Sequence, residues 1–279
     1  MAVTLGLGAT LAGCVDAADL GDKGASSAAG PIGHAPRAEG AVAIGSGSSG
    51  NNGLGDGEYF ANQARLLAGT NVPLFLNGEL NVTVAQLFTV TPASAKTFGY
   101  AMQCALPYAQ LVNIDGVNYK GGGILKTVDA WLAGPLDKTA KEDLFACMAT
   151  LVNPFEVPVT IRLTGPTVDD KFLRTYDPSL YTFREALWKA EIVATMGAPP
   201  TVKYRVWPLP DLEEFCPAAS AALETRLCGA HPELCDFIPG GPIDQECVQV
   251  PEGYECGGKP VIQSWLRPND VDRLYPTCP

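Results

Sequence analysis

The stretch TPASAKTFGYAMQCALPYAQLVNIDGVNYK, residues 91–120, decides the fold class. Its first half reads as a helix over Pro92–Leu106. Thr91 stands at the N-cap position, and Phe98, Met102 and Ala105 recur at helical spacing on one face. Its second half reads as a hairpin. Asp115-Gly116 is a turn pair that tolerates the positive φ of a tight connection, and it lies between Gln110–Ile114 and Val117–Lys120. A helix followed by short hairpin strands predicts α+β.

The flanking segments extend that pattern. Upstream, Asn77-Gly78 predicts a hairpin joining strands Val72–Leu76 and Leu80–Val90. Before it, Phe60, Ala64 and Leu67 predict a helix over Glu58–Ala68, with Gly69 at its C-cap. Asn81-Val82-Thr83 fits a glycosylation sequon, but alternation reads it as strand. Downstream, Leu144, Cys147, Met148 and Leu151 predict a helix over Thr139–Val152, and Val157–Leu163 is a β-branched strand ended by Gly165-Pro166. Tyr181–Ile192 is helix-like, and Val202–Trp207 reads as a strand. Residues 58–210 therefore form an α+β body of short antiparallel sheets covered by helices.

Composition shifts on both sides of this body. Residues 15–57 hold 11 Gly, 9 Ala and 5 Ser without an aromatic residue, too little apolar surface to offset backbone ordering. This segment is a flexible tether with an expected span of roughly 35–40 Å. Residues 211–279 hold six of the nine cysteines and little hydrophobic periodicity beyond a helix at Ala218–Cys228. That C-terminal region is expected to be irregular and held by disulfides in place of a core.

Nine cysteines is an odd number. The uncharged run AVTLGLGATLAG, residues 2–13, ends in Leu11-Ala12-Gly13-Cys14, which resembles a bacterial lipobox. Residues 1–14 then read as a signal peptide whose Cys14 carries the lipid, although no basic residue precedes Lys23. Eight cysteines remain: Cys104, Cys147, Cys216, Cys228, Cys235, Cys247, Cys256 and Cys278. The economical pairing joins Cys104 to Cys147 on two helices, and the other six allow 15 connectivities among themselves. Zinc is disfavoured because no two cysteines stand two to four residues apart.

The 279 residues carry 19 Lys+Arg against 30 Asp+Glu, a formal charge of −11, which argues against nucleic acid and anionic membrane surfaces. No apolar run reaches the roughly 18 residues of a spanning helix. The two histidines lie in the tether (His34) and between two cysteines (His231), so Ser-His and Cys-His catalysis lacks a positioned base. Gly121-Gly122-Gly123-Ile124-Leu125-Lys126-Thr127 departs from a phosphate loop at Leu125, where a glycine is required, and reads as a turn leaving the hairpin. Carboxylates for acid–base chemistry would be Asp115, Asp129, Glu185 and Glu191. Oxygen ligands for calcium would come from Asn113–Asn118 or Asn269–Asp272, neither with a distal Glu. Trp131 is expected in the core near the Cys104–Cys147 bridge, with Trp188, Trp207 and Trp265 also core residues or a carbohydrate platform.

Cys104-Ala105-Leu106-Pro107, then Tyr119-Lys120-Gly121, Trp131 and Ala146-Cys147-Met148-Ala149 before Asn153 form a pattern. It resembles a family of uncharacterised secreted or lipid-anchored proteins abundant in myxobacteria, over roughly residues 95–190. The resemblance implies export and a paired Cys104 and Cys147, and brings no activity and no catalytic residue.

The expectation is an exported lipoprotein of the cell envelope, at the outer membrane or cell surface, that works as a non-enzymatic binding or assembly module. Its membrane contact is the lipid alone, its partner a protein or glycan, and it uses no metal, cofactor or catalytic residue. The alternatives are an extracellular carboxylate hydrolase acting on glycans and a calcium-dependent adhesion module.

Overall fold

Helix Pro92–Ala105 begins with a capping box. The Thr91 hydroxyl accepts from the Ser94 amide (3.1 Å), and the Ser94 hydroxyl accepts from the Thr91 amide (2.8 Å). In this computed structural model the described residues are 68–278, except 70–72, 77–78, 87, 90, 127, 156–158, 170–176 and 230–231. The residues expected to form the lipobox with Cys14, the tether with His34, the Asn77-Gly78 turn and the first helix up to residue 67 lie outside them, as does His231.

The architecture is mixed α and β, with short antiparallel sheets and four cysteine pairs concentrated toward the C-terminus. Strands β1 (Phe75–Leu76) and β2 (Glu79–Leu80) pair with each other, as do β3 (Leu111–Ile114) and β4 (Val117–Lys120). The central sheet has seven strands. They are β5 (Ile161–Thr164), β6 (Phe183–Val193), β7 (Thr201–Pro208), β8 (Phe237–Pro239), β9 (Cys247–Val250), β10 (Gly253–Cys256) and β11 (Lys259–Leu266). Their order is β8-β7-β6-β11-β10-β9, with β5 also on β11. Among the described residues the β7–β8 pairing is the one parallel pairing.

Two segments differ from the sequence reading. Leu80–Val90 is not one strand: after β2 the chain forms a helix at Val82–Gln86. The Asn81 side-chain oxygen caps it by accepting from the Val84 amide (3.4 Å), a helix start concealed by the β-branched run that follows. Tyr181–Ile192 is not helical: most of it is strand β6, which runs on to Val193 and is the longest described strand of the sheet. The β6–β11 register slips between Ser264 and Trp265, so Glu185 is skipped in the pairing and alternation fails there.

The C-terminal region is disulfide-rich and adds to the sheet. Its strand β11 lies between β6 on one side and β5 and β10 on the other, so residues on both sides of position 210 share one core. Helices Pro92–Ala105, Lys138–Leu151 and Ala219–Cys228 carry most of the helical part of that core, which includes Phe98, Met102, Phe145, Met148, Leu223 and Trp188. A smaller cluster of Leu187, Trp207, Cys247, Cys256 and Val261 is separate from it. Leu187 and Trp188 are adjacent in β6 and belong to different clusters, as the two faces of a strand require.

The glycine run after β4 lies against the end of helix Pro92–Ala105. The Gly122, Gly123 and Leu125 amides donate to the Gln103, Leu106 and Cys104 carbonyls at 3.0, 2.7 and 3.0 Å, meeting acceptors the helix end leaves open. A Cβ on Gly121 would lie 2.2 Å from the Pro107 carbonyl oxygen, and one on Gly122 would lie 2.6 Å from that of Gln103. These amides are therefore engaged by the chain itself.

Candidate functional site

Helix Lys138–Leu151 is capped by the Asp137 carboxylate, which accepts from the Ala140 amide (2.8 Å). The helix packs across β6 and β11 near a seam in the sheet. The β6–β11 ladder begins at Ile262 opposite Trp188. Two residues earlier in that register, Pro260 would face Ala190, and proline has no N–H to continue the ladder. The seam opens there into a notch of about 160 Å³. Thr139, Glu142, Asp143 and Ala146 of the helix form one wall, and Trp188, Lys189 and Ala190 of β6 with Lys259, Pro260 and Ile262 of β11 form the rest.

The charged groups around the notch are mostly paired. Glu142 is buried, with its side chain 8% exposed. One of its oxygens accepts from the Ile192 amide (3.0 Å) and the other from Lys259 Nζ (3.2 Å), while Lys138 Nζ stands 3.6 Å away. Lys189 Nζ lies 2.8 Å from Glu191, and that hydrogen bond holds the Glu191 carboxyl below its usual range. Asp143 differs. Among the described residues no donor hydrogen-bonds its carboxylate. Burial, then the negative charges of Glu142 and Asp137, raise its pKa from 3.8 to about 6, against the pull of Lys259.

The carboxylates singled out in the sequence do not converge. Asp115 sits in the β3–β4 turn at φ 50° and accepts from Gln86 Nε2 (3.0 Å). Asp129 lies on helix Val128–Ala133. Glu191 is in β6, paired with Lys189. Glu185 is fully buried, 3.2 Å from Arg226 Nε, and accepts a hydrogen bond from the Tyr275 hydroxyl. Arg226 also donates to the Thr150 carbonyl (2.6 Å) and lies 4.9 Å from the centre of the Trp188 ring. This network ties β6, helices Lys138–Leu151 and Ala219–Cys228 and the C-terminal segment at Tyr275 together inside the core.

The calcium candidates are engaged locally. Asn113 Nδ2 donates to Asn118 Oδ1 (2.7 Å), the Gly116 amide donates to Asn113 Oδ1 (3.2 Å), and Asp270 pairs with Arg273 (3.1 Å). Among the described residues no group of three or more His, Cys, Asp or Glu is arranged to hold a metal ion. Trp131 packs edge-on against Phe75 (5.6 Å), and Trp188 and Trp207 are buried. Trp265 is half-buried and donates to Thr164 Oγ1 (2.9 Å).

The cysteines pair as Cys104–Cys147, Cys216–Cys278, Cys228–Cys235 and Cys247–Cys256. Several disulfides in one chain are consistent with an extracellular protein. Among the described residues no helix is long and apolar enough to cross a membrane.

Glu142, Asp143 and Lys259 were not singled out by the sequence reading. One signal was present: Glu142 falls at helical spacing with Phe145 and Ala149, on a buried stripe of its helix. An acid on such a stripe needs partners from elsewhere in the fold. No protein family, curated protein or solved structure matches this chain.

Proposed function

We propose that the protein is an exported, lipid-anchored module of the cell envelope that binds a ligand without transforming it. Asp143 carries the binding part of this reading. It is a carboxylate with a raised pKa, facing a notch, that no hydrogen bond within the described fold employs, and such groups concentrate at functional sites. The anchor rests on Leu11-Ala12-Gly13-Cys14 and on the parity of the cysteines, since the eight others are paired. The resemblance to secreted and lipid-anchored proteins of the myxobacterial type supports the same reading. Residues 15–57 supply the reach from the membrane.

The anchor is tested in cells making the full chain, fed an alkyne analogue of palmitate. The wild type takes the label and fractionates with membranes, and Cys14→Ala loses both properties. Protease added to intact cells removes the body if it faces outward. An unlabelled, soluble wild type overturns the anchor.

A further inference from the structure

We infer that the notch between helix Lys138–Leu151 and the β6–β11 seam binds a primary ammonium on a short apolar stem, with Asp143 as its counter-ion. The inference rests on the binding-module reading and names the ligand chemistry of the same site.

Three observations carry it. Glu142 and Glu191 already hold the lysines that line or border the notch, Lys138, Lys259 and Lys189, so among the described charged groups of the lining the one left without a hydrogen bond is an acid. The charges that act on Asp143 itself are those of Glu142, Asp137 and Lys259, two acids against one base. Ala146, Trp188, Pro260 and Ile262 supply an apolar part of the same lining. An apolar wall beside an uncommitted carboxylate suits a cation on methylenes, as a lysine side chain presents it. Size sets the limit: about 160 Å³ is well below the ~300 Å³ at which drug-sized pockets begin. The ammonium has two sources, a free small amine or a lysyl side chain of a partner polypeptide.

A bound cation favours the ionised carboxylate, so binding and deprotonation of Asp143 are coupled. With its pKa raised to about 6, the site holds its charge at pH 7.5 and loses roughly nine-tenths of it at pH 5.

The test is calorimetric titration of the full chain at pH 7.5 and pH 5. Probes are n-butylammonium, its neutral counterpart n-butanol, butyrate, and the amides of Nα-acetyl-lysine and Nα-acetyl-norleucine. Variants are Asp143→Asn and Thr139→Trp, which plugs the exposed mouth of the notch, and far-ultraviolet circular dichroism verifies that both fold. The expected result is binding of n-butylammonium at pH 7.5 and about tenfold weaker binding at pH 5. Binding weakens about tenfold in Asp143→Asn and is abolished in Thr139→Trp. Tighter binding of the acetyl-lysine amide than of the free amine assigns a polypeptide source, and the reverse order assigns a small amine. If butyrate or n-butanol binds instead and Thr139→Trp removes that binding, the ammonium assignment is overturned while the binding reading stands. If no probe responds to Thr139→Trp, both are overturned.

Discussion

The Glu185 carboxylate and the Arg226 guanidinium meet 3.2 Å apart with neither side chain exposed to solvent. The pair joins a bulged position of β6 to the Ala219–Cys228 helix, and the Tyr275 hydroxyl completes it from the C-terminal end. Burying two charges has a large desolvation cost, so removing one partner leaves the other uncompensated. Glu185→Leu or Arg226→Met should each lower unfolding stability by about 3–5 kcal/mol. The double change Glu185→Leu/Arg226→Met should lie closer to the wild type than the sum of the singles. Urea denaturation of the four proteins decides this, and simple additivity would refute it.

Tyr275 gives this network an alkaline limit. Burial first, then the Glu185 charge, pushes its phenol well above 10. Above pH 10 the unfolded chain releases this proton and the native chain keeps it, so stability falls as pH rises. Tyr275→Phe should be less stable at pH 8 by about 1–3 kcal/mol, because the buried carboxylate loses a donor. Its stability should also decline less steeply than the wild type's between pH 10 and 11.5. Parallel pH profiles would contradict this account.

The glycines after β4 should tolerate no side chain. Gly121→Ala drives a Cβ toward the Pro107 carbonyl oxygen at 2.2 Å, and backbone cannot yield as a flexible side chain would. A loss of about 3 kcal/mol or more is expected, as for severe overpacking. Gly134→Ala meets nothing within 4 Å and should change stability by less than about 0.5 kcal/mol. Thermal melts of the two variants measure the contrast. Equal melting temperatures would remove the close-approach explanation.

Cys104 and Cys147 close a loop between two core helices, with a sequence separation of 43. The chain-entropy model assigns about 4 kcal/mol to such a closure. Cys104→Ala/Cys147→Ala should lose stability of that order, and non-reducing peptide mapping of the wild type should recover the same pair. Recovery of Cys104 bonded to a C-terminal cysteine would overturn the assignment.

What the sequence disclosed, and what it concealed, follows from how local each signal is. Thr91 with Ser94, and Asp115-Gly116 between alternating strands, act within a few residues, and the helix and hairpin of residues 91–120 stand where they are read. Strand β6 was concealed because its bulge sends Glu185 inward, breaking alternation at the position where the strand is most buried. Strand β11 looked irregular among prolines and glycines, and its identity comes from partners far away in the chain, Trp188 on one side and Arg162 on the other. The notch is less legible still. Asp143 is an ordinary helical acid until its helix lies beside a seam that Pro260 leaves open.

Asp143 provides the clearest pH prediction, because the sign of its effect runs opposite to that of a salt-bridged acid. Its folded pKa of about 6 exceeds the ordinary 3.8, so between those values the native state holds more of this proton than the unfolded state. Stability contributed by the residue therefore falls as pH rises from about 4 to 6, and above that the ionised carboxylate is a net cost. A rise from 3.8 to about 6 would correspond to roughly 3 kcal/mol for a group shielded from water. Screening at a partly exposed site reduces the expectation to about 1–2 kcal/mol. Asp143→Asn should thus be more stable than the wild type by that amount at pH 7.5 and no different at pH 3.5. Urea midpoints from pH 3.5 to 7.5 provide the measurement. A variant less stable than wild type at pH 7.5 would mean that the carboxylate serves the fold, and the case for a ligand in the notch would lose its support.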